Sequence, residues 1–248
     1  MAKKGNGDAQ TSILNLLWEE KREPSRGPKP ALDIRQIAET AIAIADSEGL
    51  DAVSMQRVAQ ACGVATMALY RYVPDKAGLL ALMIDIGLSD LPVLDDIHDG
   101  WRVQLEHWAR QLWAIFRAHP WSLRATASIR ILGPNELGWF EAAVRALSVS
   151  ALSGAEKVDA VEAIVAFIRG RAFLFTGTPS QQYSQSASQT QNHLPELLHN
   201  YANRFPSLAE AEESGAFSTS EPGDLEFGLH LLLDGLGVQI AEAQKRKS

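Results

Sequence analysis

Residues 57–76, RVAQACGVATMALYRYVPDK, hold the densest run of groups suited to reading a nucleic acid. Ala59, Gly63 and Leu69 follow one another with A-x3-G-x5-L spacing. Two helices that cross closely need a small residue at the contact, and a sharp turn between them needs a residue that takes the left-handed conformation cheaply. Val58, Val64 and Leu69 supply apolar contacts to lock such a pair, so the spacing predicts a helix-turn-helix. With Leu69 turned inward, Thr66, Met67, Tyr70 and Arg71 fall on the outer face of the second helix. From there Arg71 can donate to guanine O6 and N7, while Thr66, Met67 and the Tyr70 ring can meet thymine methyls or sugar-phosphate. Gln56, near the start of the preceding helix, is a further candidate for a base or phosphate. Ser54, Tyr72 and Lys76 are candidates for holding phosphates, Lys76 beside a helix N-terminus that adds amide donors. Arg26 and Lys29, in SRGPKP, can lie along the minor groove or the backbone. A plain helical hairpin is the competing reading of Ala59 and Gly63 alone, with Met67 and Tyr72 partly in its core.

Other chemistry finds little support in the residue types. The chain has no G-x-S-x-G elbow, Walker loop, H-E-x-x-H pair or paired-cysteine motif, and its single cysteine, Cys62, falls inside the predicted hairpin. The six histidines are scattered, and His193 with His199 lacks ligand spacing. The expectation is no catalytic residue, no metal and no cofactor.

A reading helix needs a frame, and helical apolar spacing runs through nearly the whole chain. The predicted fold class is all-α. It comprises a flexible, Pro/Gly-rich N-terminal arm at 1–32, a three-helix helix-turn-helix domain at 33–78 and a larger helical domain at 79–243. Within the arm, a short helix around Ile13 to Glu20 is compatible with the pattern. Asp33 caps the first helix of the reading domain and Gly49 ends it; Ser54 caps the second, and Asp75 caps the longer helix after Pro74. Further helices are expected over Trp101–Ala118, Trp121–Ile131, Pro134–Leu147, a long one to Phe175 opened by a Ser153/Glu156 capping box, and about Glu221–Ala243. The polar stretch 176–193 reads as a disordered segment or a functional cover.

Composition permits this reading without arguing for it. With 46% hydrophobic and 21% charged residues the chain resembles an ordinary globular protein. Its net charge is −7, but residues 1–78 carry ten Lys+Arg against ten Asp+Glu, so the excess acid falls entirely on residues 79–248. The lone cysteine, the lack of an apolar leader and the lack of a long apolar run predict a cytoplasmic location and no membrane partner.

The run SRGPKPALDIRQIAETAIAIADSEGLDAVSMQRVAQACGVATMALYRYVPDKAGLLALMID resembles the N-terminal domain of TetR-family transcriptional repressors over about residues 30–85. It shares a first helix ending in EG, the short hairpin, and LYRYV followed by an acidic residue and Lys76. More loosely, AHPW, LGPNEL, RFPSLAEAEESGAF and LEFGLHLLLDGL are similar to the tetracycline-repressor-like regulatory domain. Ala65 stands where Ser is frequent in that family, which leaves Thr66 as the candidate helix cap, and Ala68 replaces a frequent Thr.

The resemblance implies that residues 79–243 bind a small molecule and dimerise. Expected partners are a double-stranded DNA operator, an apolar or aromatic small-molecule effector, and a second copy of the chain. Leu225, Leu229, Leu232, Leu236 and Ile240 share one side of the last helix, and Gly228, Gly235 and Gly237 can admit another helix. Trp101, Trp108, Trp113, Trp121 and Trp139 can wall a ligand cavity. Mapped through the resemblance, Trp108, Leu112, Thr126, Arg130, Trp139 and Phe167 are the ligand-binding candidates, with Arg130 placed to meet an acidic or carbonyl group. ATAS, residues 125–128, has no histidine where the tetracycline repressor uses one, which disfavours tetracycline itself. The implied function is a ligand-responsive repressor that binds a palindromic operator as a dimer and is released by a small molecule. The alternative is an activator, or a DNA-binding protein of the same fold without a ligand.

Overall fold

Local punctuation sets most of the helix ends. In the computed structural model, which describes residues 3–19, 32–127, 130–176, 193–216 and 225–247, every regular element is helical. In chain order these are α1 (Lys3–Trp18), α2 (Ile34–Glu48), α3 (Met55–Ala61), α4 (Thr66–Leu69), α5 (Lys76–Gly87) and α6 (Trp101–Ala118). Then follow α7 (Trp121–Ala125), α8 (Pro134–Ala146), α9 (Gly154–Thr176), α10 (193–200), α11 (Pro206–Glu213) and α12 (Leu225–Lys247). Asp33 accepts from the Arg35 amide, Ser54 from Arg57 and Asp75 from Gly78, each satisfying a donor that the helix leaves open. Gly49 stops α2 at φ 87°. At the head of α9, Ser153 N donates to Glu156 Oε2 at 2.7 Å and Glu156 N to Ser153 Oγ at 3.3 Å, a reciprocal capping box.

The buried side chains fall into two cores. Ile37, Val58, Leu69, Leu79 and Met83 of α2–α5 build the first, and Trp121 of α7 reaches into it. Leu105 and Trp108 of α6, Leu147, Ile164 and Ile168 of α9 and Leu229 and Leu233 of α12 centre the second. Leu88, just past α5, packs against both. α5 packs on α2 within the reading domain and on α7 and α8 in the larger one. Across the second unit, Arg110 of α6 holds Glu226 of α12 with two hydrogen bonds of 2.7 Å.

Two expectations need correcting. The N-terminal stretch assigned to a flexible arm contains a 16-residue helix, α1, which docks on α5 through half-buried Leu16 and Leu17. At its end, Trp18 Nε1 donates to Leu132 O at 3.0 Å. The helix expected from Trp121 to Ile131 ends at Ala125 instead. Its carbonyls are taken locally, with Thr126 N and Oγ1 both donating to Ser122 O.

Candidate nucleic-acid interface and ligand cavity

The reading head is assembled around a tight crossing. Ala59 is buried where α3 meets α4, and Gly63 takes φ 71° in the turn between them. Val64 N returns to Ala59 O at 3.0 Å, closing the turn. Val58 and Leu69 are fully buried and Val64 half-buried, so the three contacts that define the hairpin are made. α4 is a single α-helical turn, prolonged by bonds from Arg71 N to Ala68 O and Tyr72 N to Leu69 O.

Around this frame the predicted contact residues separate by exposure. Met67 is 75% exposed and Tyr70 43%, which removes Met67 from any core role. Gln56, Arg71 and Lys76 are exposed, while Thr66 and Tyr72 are half-buried, Tyr72 packing against the first core. The Arg71 guanidinium makes no hydrogen bond or ion pair among the described residues, whereas that of Arg57 is turned back onto Glu48 at 2.8 Å. Ser54 is exposed, its oxygen accepting the Arg57 amide. Ala65 occupies the N-cap of α4 with no side-chain bond, and Thr66 sits one position inside the helix, so Thr66 is not the cap. Arg26 and Lys29 lie outside the described residues.

A cavity of about 280 Å³ opens between α5, α6, α7, α8 and α9. Of the six ligand-binding candidates, Trp108, Leu112, Thr126 and Trp139 line it. Trp108 Nε1 donates to Trp139 O and Trp139 Nε1 to Leu88 O, both at 2.9 Å, so the indoles are anchored by their polar edges. What they offer a ligand is apolar ring surface. Phe167 does not line this cavity: it faces α12, where a Cβ at Gly228 would overlap its ring. Arg130 is also not on the wall, because its guanidinium forms a two-pronged pair with Glu136. Glu136 itself lines the cavity, as do His119 and Arg169, none of which the sequence singled out as ligand contacts, and so does Trp121, one of the tryptophans expected to wall a cavity. Arg169 was legible in part, since Val158, Glu162, Val165 and Arg169 repeat at one-turn spacing along one face of α9.

The cavity is joined to the reading head at three places. Ile84, Gly87 and Leu88 bring the end of α5 to the wall. One residue along, the buried Asp85 caps α8: its Oδ1 accepts Asn135 N at 2.9 Å, and its Oδ2 accepts Asn135 Nδ2 at 3.0 Å. A Cβ on Gly133 would overlap the Asp85 carboxylate, so only glycine fits there. Burial raises the Asp85 pKa above the ordinary aspartate value despite these donors. The third link runs from the cavity wall to α2, where Asp46 accepts Trp121 Nε1 at 2.7 Å and lies 2.9 Å from His119 Nδ1.

Two family models match this chain. Residues 37–83 fit that of bacterial regulatory proteins of the tetR family, and residues 91–240 fit the tetracyclin repressor-like C-terminal domain. The HTH-type transcriptional repressor DrrR1 of Streptomyces coeruleorubidus is 38% identical, over 96% of this chain and 89% of the relative. Apo ActR from Streptomyces coelicolor superposes with a TM-score of 0.72 at 27% identity, covering 88% of this chain and all of that one. The complex of ActR with actinorhodin gives 0.75 at 28% identity, covering 87% and 100%. With both halves matched in order, and with the hairpin and helical second domain in place, the chain belongs to the TetR family of transcriptional regulators.

Proposed function

We propose that this protein is a transcriptional repressor that binds a palindromic operator as a homodimer and leaves it when a small molecule fills the cavity of α5–α9. The observation that carries the reading is the double duty of α5. Its Leu79, Leu82 and Met83 belong to the core of the reading head, and its Ile84 and Gly87 line the cavity. A ligand that prefers a different set of the cavity wall therefore bears on the helix that seats α3 and α4. Such a ligand weakens DNA binding only by as much as it favours the non-binding arrangement. The repressor description of the 38% identical relative and the small molecule bound by ActR in its solved complex support the same reading.

On DNA, the exposed face of α4 enters the major groove. Arg71 meets a base edge, Met67 and Tyr70 flank it, Thr66 and Gln56 reach bases or phosphate, and Ser54, Tyr72 and Lys76 hold the backbone, with Arg26 and Lys29 following it. Dimerisation uses α9 and α12. The leucine row of α12 is mostly internal: Leu225, Leu229, Leu236 and Ile240 are buried within the chain, and Leu232 is half-buried. The outward stripe is Phe227, Leu231 and Val238 on α12, with Phe173 and Leu174 on α9, all more than half exposed. Gly235, with open space above it, lets a partner helix approach. Selection of DNA by the purified protein, compared with an Arg71→Ala, Tyr70→Ala double variant, tests the assignment. Enrichment of a palindrome by the wild type and its loss in the folded variant is expected; no enrichment by a folded dimer would refute it.

A further inference from the structure

Most of the cavity wall is apolar, yet among the described residues its one guanidinium, that of Arg169, forms no ion pair with a carboxylate. Arg169 of α9 turns toward α7, where it donates to Thr126 O at 3.4 Å and to Leu123 O at 3.5 Å, both long for such bonds. No carboxylate lies within ion-pairing distance of it among the described residues. Glu136, across the cavity rim, has both oxygens held by Arg130. Glu162 lies two turns back along α9, about 10 Å away by helix rise. His119 is engaged with Asp46. This wall thus carries one guanidinium, Arg169, and two carboxylates, of which Glu136 is already held by Arg130 from outside the lining and Glu162 stands two turns away. Burial first, and then the Arg130 charge, push the Arg169 guanidinium below its ordinary value. A half-buried cation served only by neutral acceptors is a ready partner for an incoming anion.

We propose that the effector is a compact aromatic acid, its rings against Trp108, Leu112 and Trp139 and its carboxylate paired with Arg169. This rests on the reading of the cavity as the effector site and adds the chemical class of the ligand. The planar fork of a guanidinium matches a carboxylate through two parallel hydrogen bonds, which orients the ligand as well as holding it. A volume of about 280 Å³ lies at the small end of ligand sites, which favours a flat, compact molecule.

The full-length protein is titrated by tryptophan fluorescence with 2-naphthoate, anthracene-2-carboxylate and pyrene-1-carboxylate, and with the carboxamide of each. Trp108, Trp121 and Trp139 on the wall report occupancy. At least one acid is expected to bind about tenfold or more tightly than its amide. Arg169→Gln is expected to abolish that preference while amide binding stays within about twofold of wild type. Should Arg169→Gln lose amide binding as well, Arg169→Lys decides: a retained preference supports the anchor, and a lost preference with intact amide binding overturns it. Equal binding of acid and amide by the wild type, or a preference that tracks Arg130→Gln instead, overturns the anchor and leaves the cavity reading standing. Failure of all the compounds to bind overturns the cavity reading, and the anchor with it.

Discussion

Asp85 shows how a single side chain joins two parts of this protein. It is 5% exposed, yet it caps α8 from α5, so its charge is held in a poor dielectric by amide donors. Because burial raises its folded-state pKa, its contribution to stability is complete below the ordinary aspartate value and is lost as pH rises through the folded value. Asp85→Asn has no such titration, so the melting temperature of wild type relative to this variant is expected to fall as pH rises above about 4, the ordinary aspartate value. A pH-independent difference in thermal melts would contradict this. At the reading face, Arg71→Ala is expected to cost about 1–3 kcal/mol of operator affinity, measured by anisotropy, and to relax the preference at one base pair. Arg71 stood out in the sequence because it follows an inward Leu69 by two positions. Arg169 did not, because α9 is apolar around most of its circumference and periodicity alone cannot choose which face meets the cavity. Phe167 was misplaced for the same reason.

Among the elements, those whose ends are set by local chemistry were the most legible. The caps at Asp33, Ser54, Asp75 and Ser153 depend on neighbours within three residues, and all four form. α1 was poorly legible because its Lys- and Gly-rich first half carries no apolar stripe. What fixes it is distant in sequence: α5 beneath Leu16 and Leu17, and the Leu132 carbonyl that takes the Trp18 indole. Deleting residues 1–19 is expected to lower stability by about 2 kcal/mol, readable by denaturant titration, with the exposed face of α4 unchanged. No change in the midpoint would mean that α1 merely rests on α5. α7 was misjudged in length, since nothing in TASIRIL marks a stop.

At the scale of the whole molecule, the proposed function requires two copies and a connection between cavity and DNA. The outward stripe on α12 sets the first requirement: Phe227→Asp with Leu231→Asp is expected to give a monomer by light scattering. Loss of the second half-site should weaken operator binding by about a hundredfold or more. A dimer that persists in this variant would place the interface elsewhere. The second requirement is central, because α5, Asp85 and Asp46 together join the cavity wall to the reading head. It is tested most directly by measuring operator affinity by anisotropy while anthracene-2-carboxylate fills the cavity, with occupancy followed in the same sample by tryptophan quenching. The predicted result is an operator Kd that rises in step with occupancy, and an acid affinity weakened by DNA to the same factor. An operator Kd that stays constant as the cavity saturates would contradict the account.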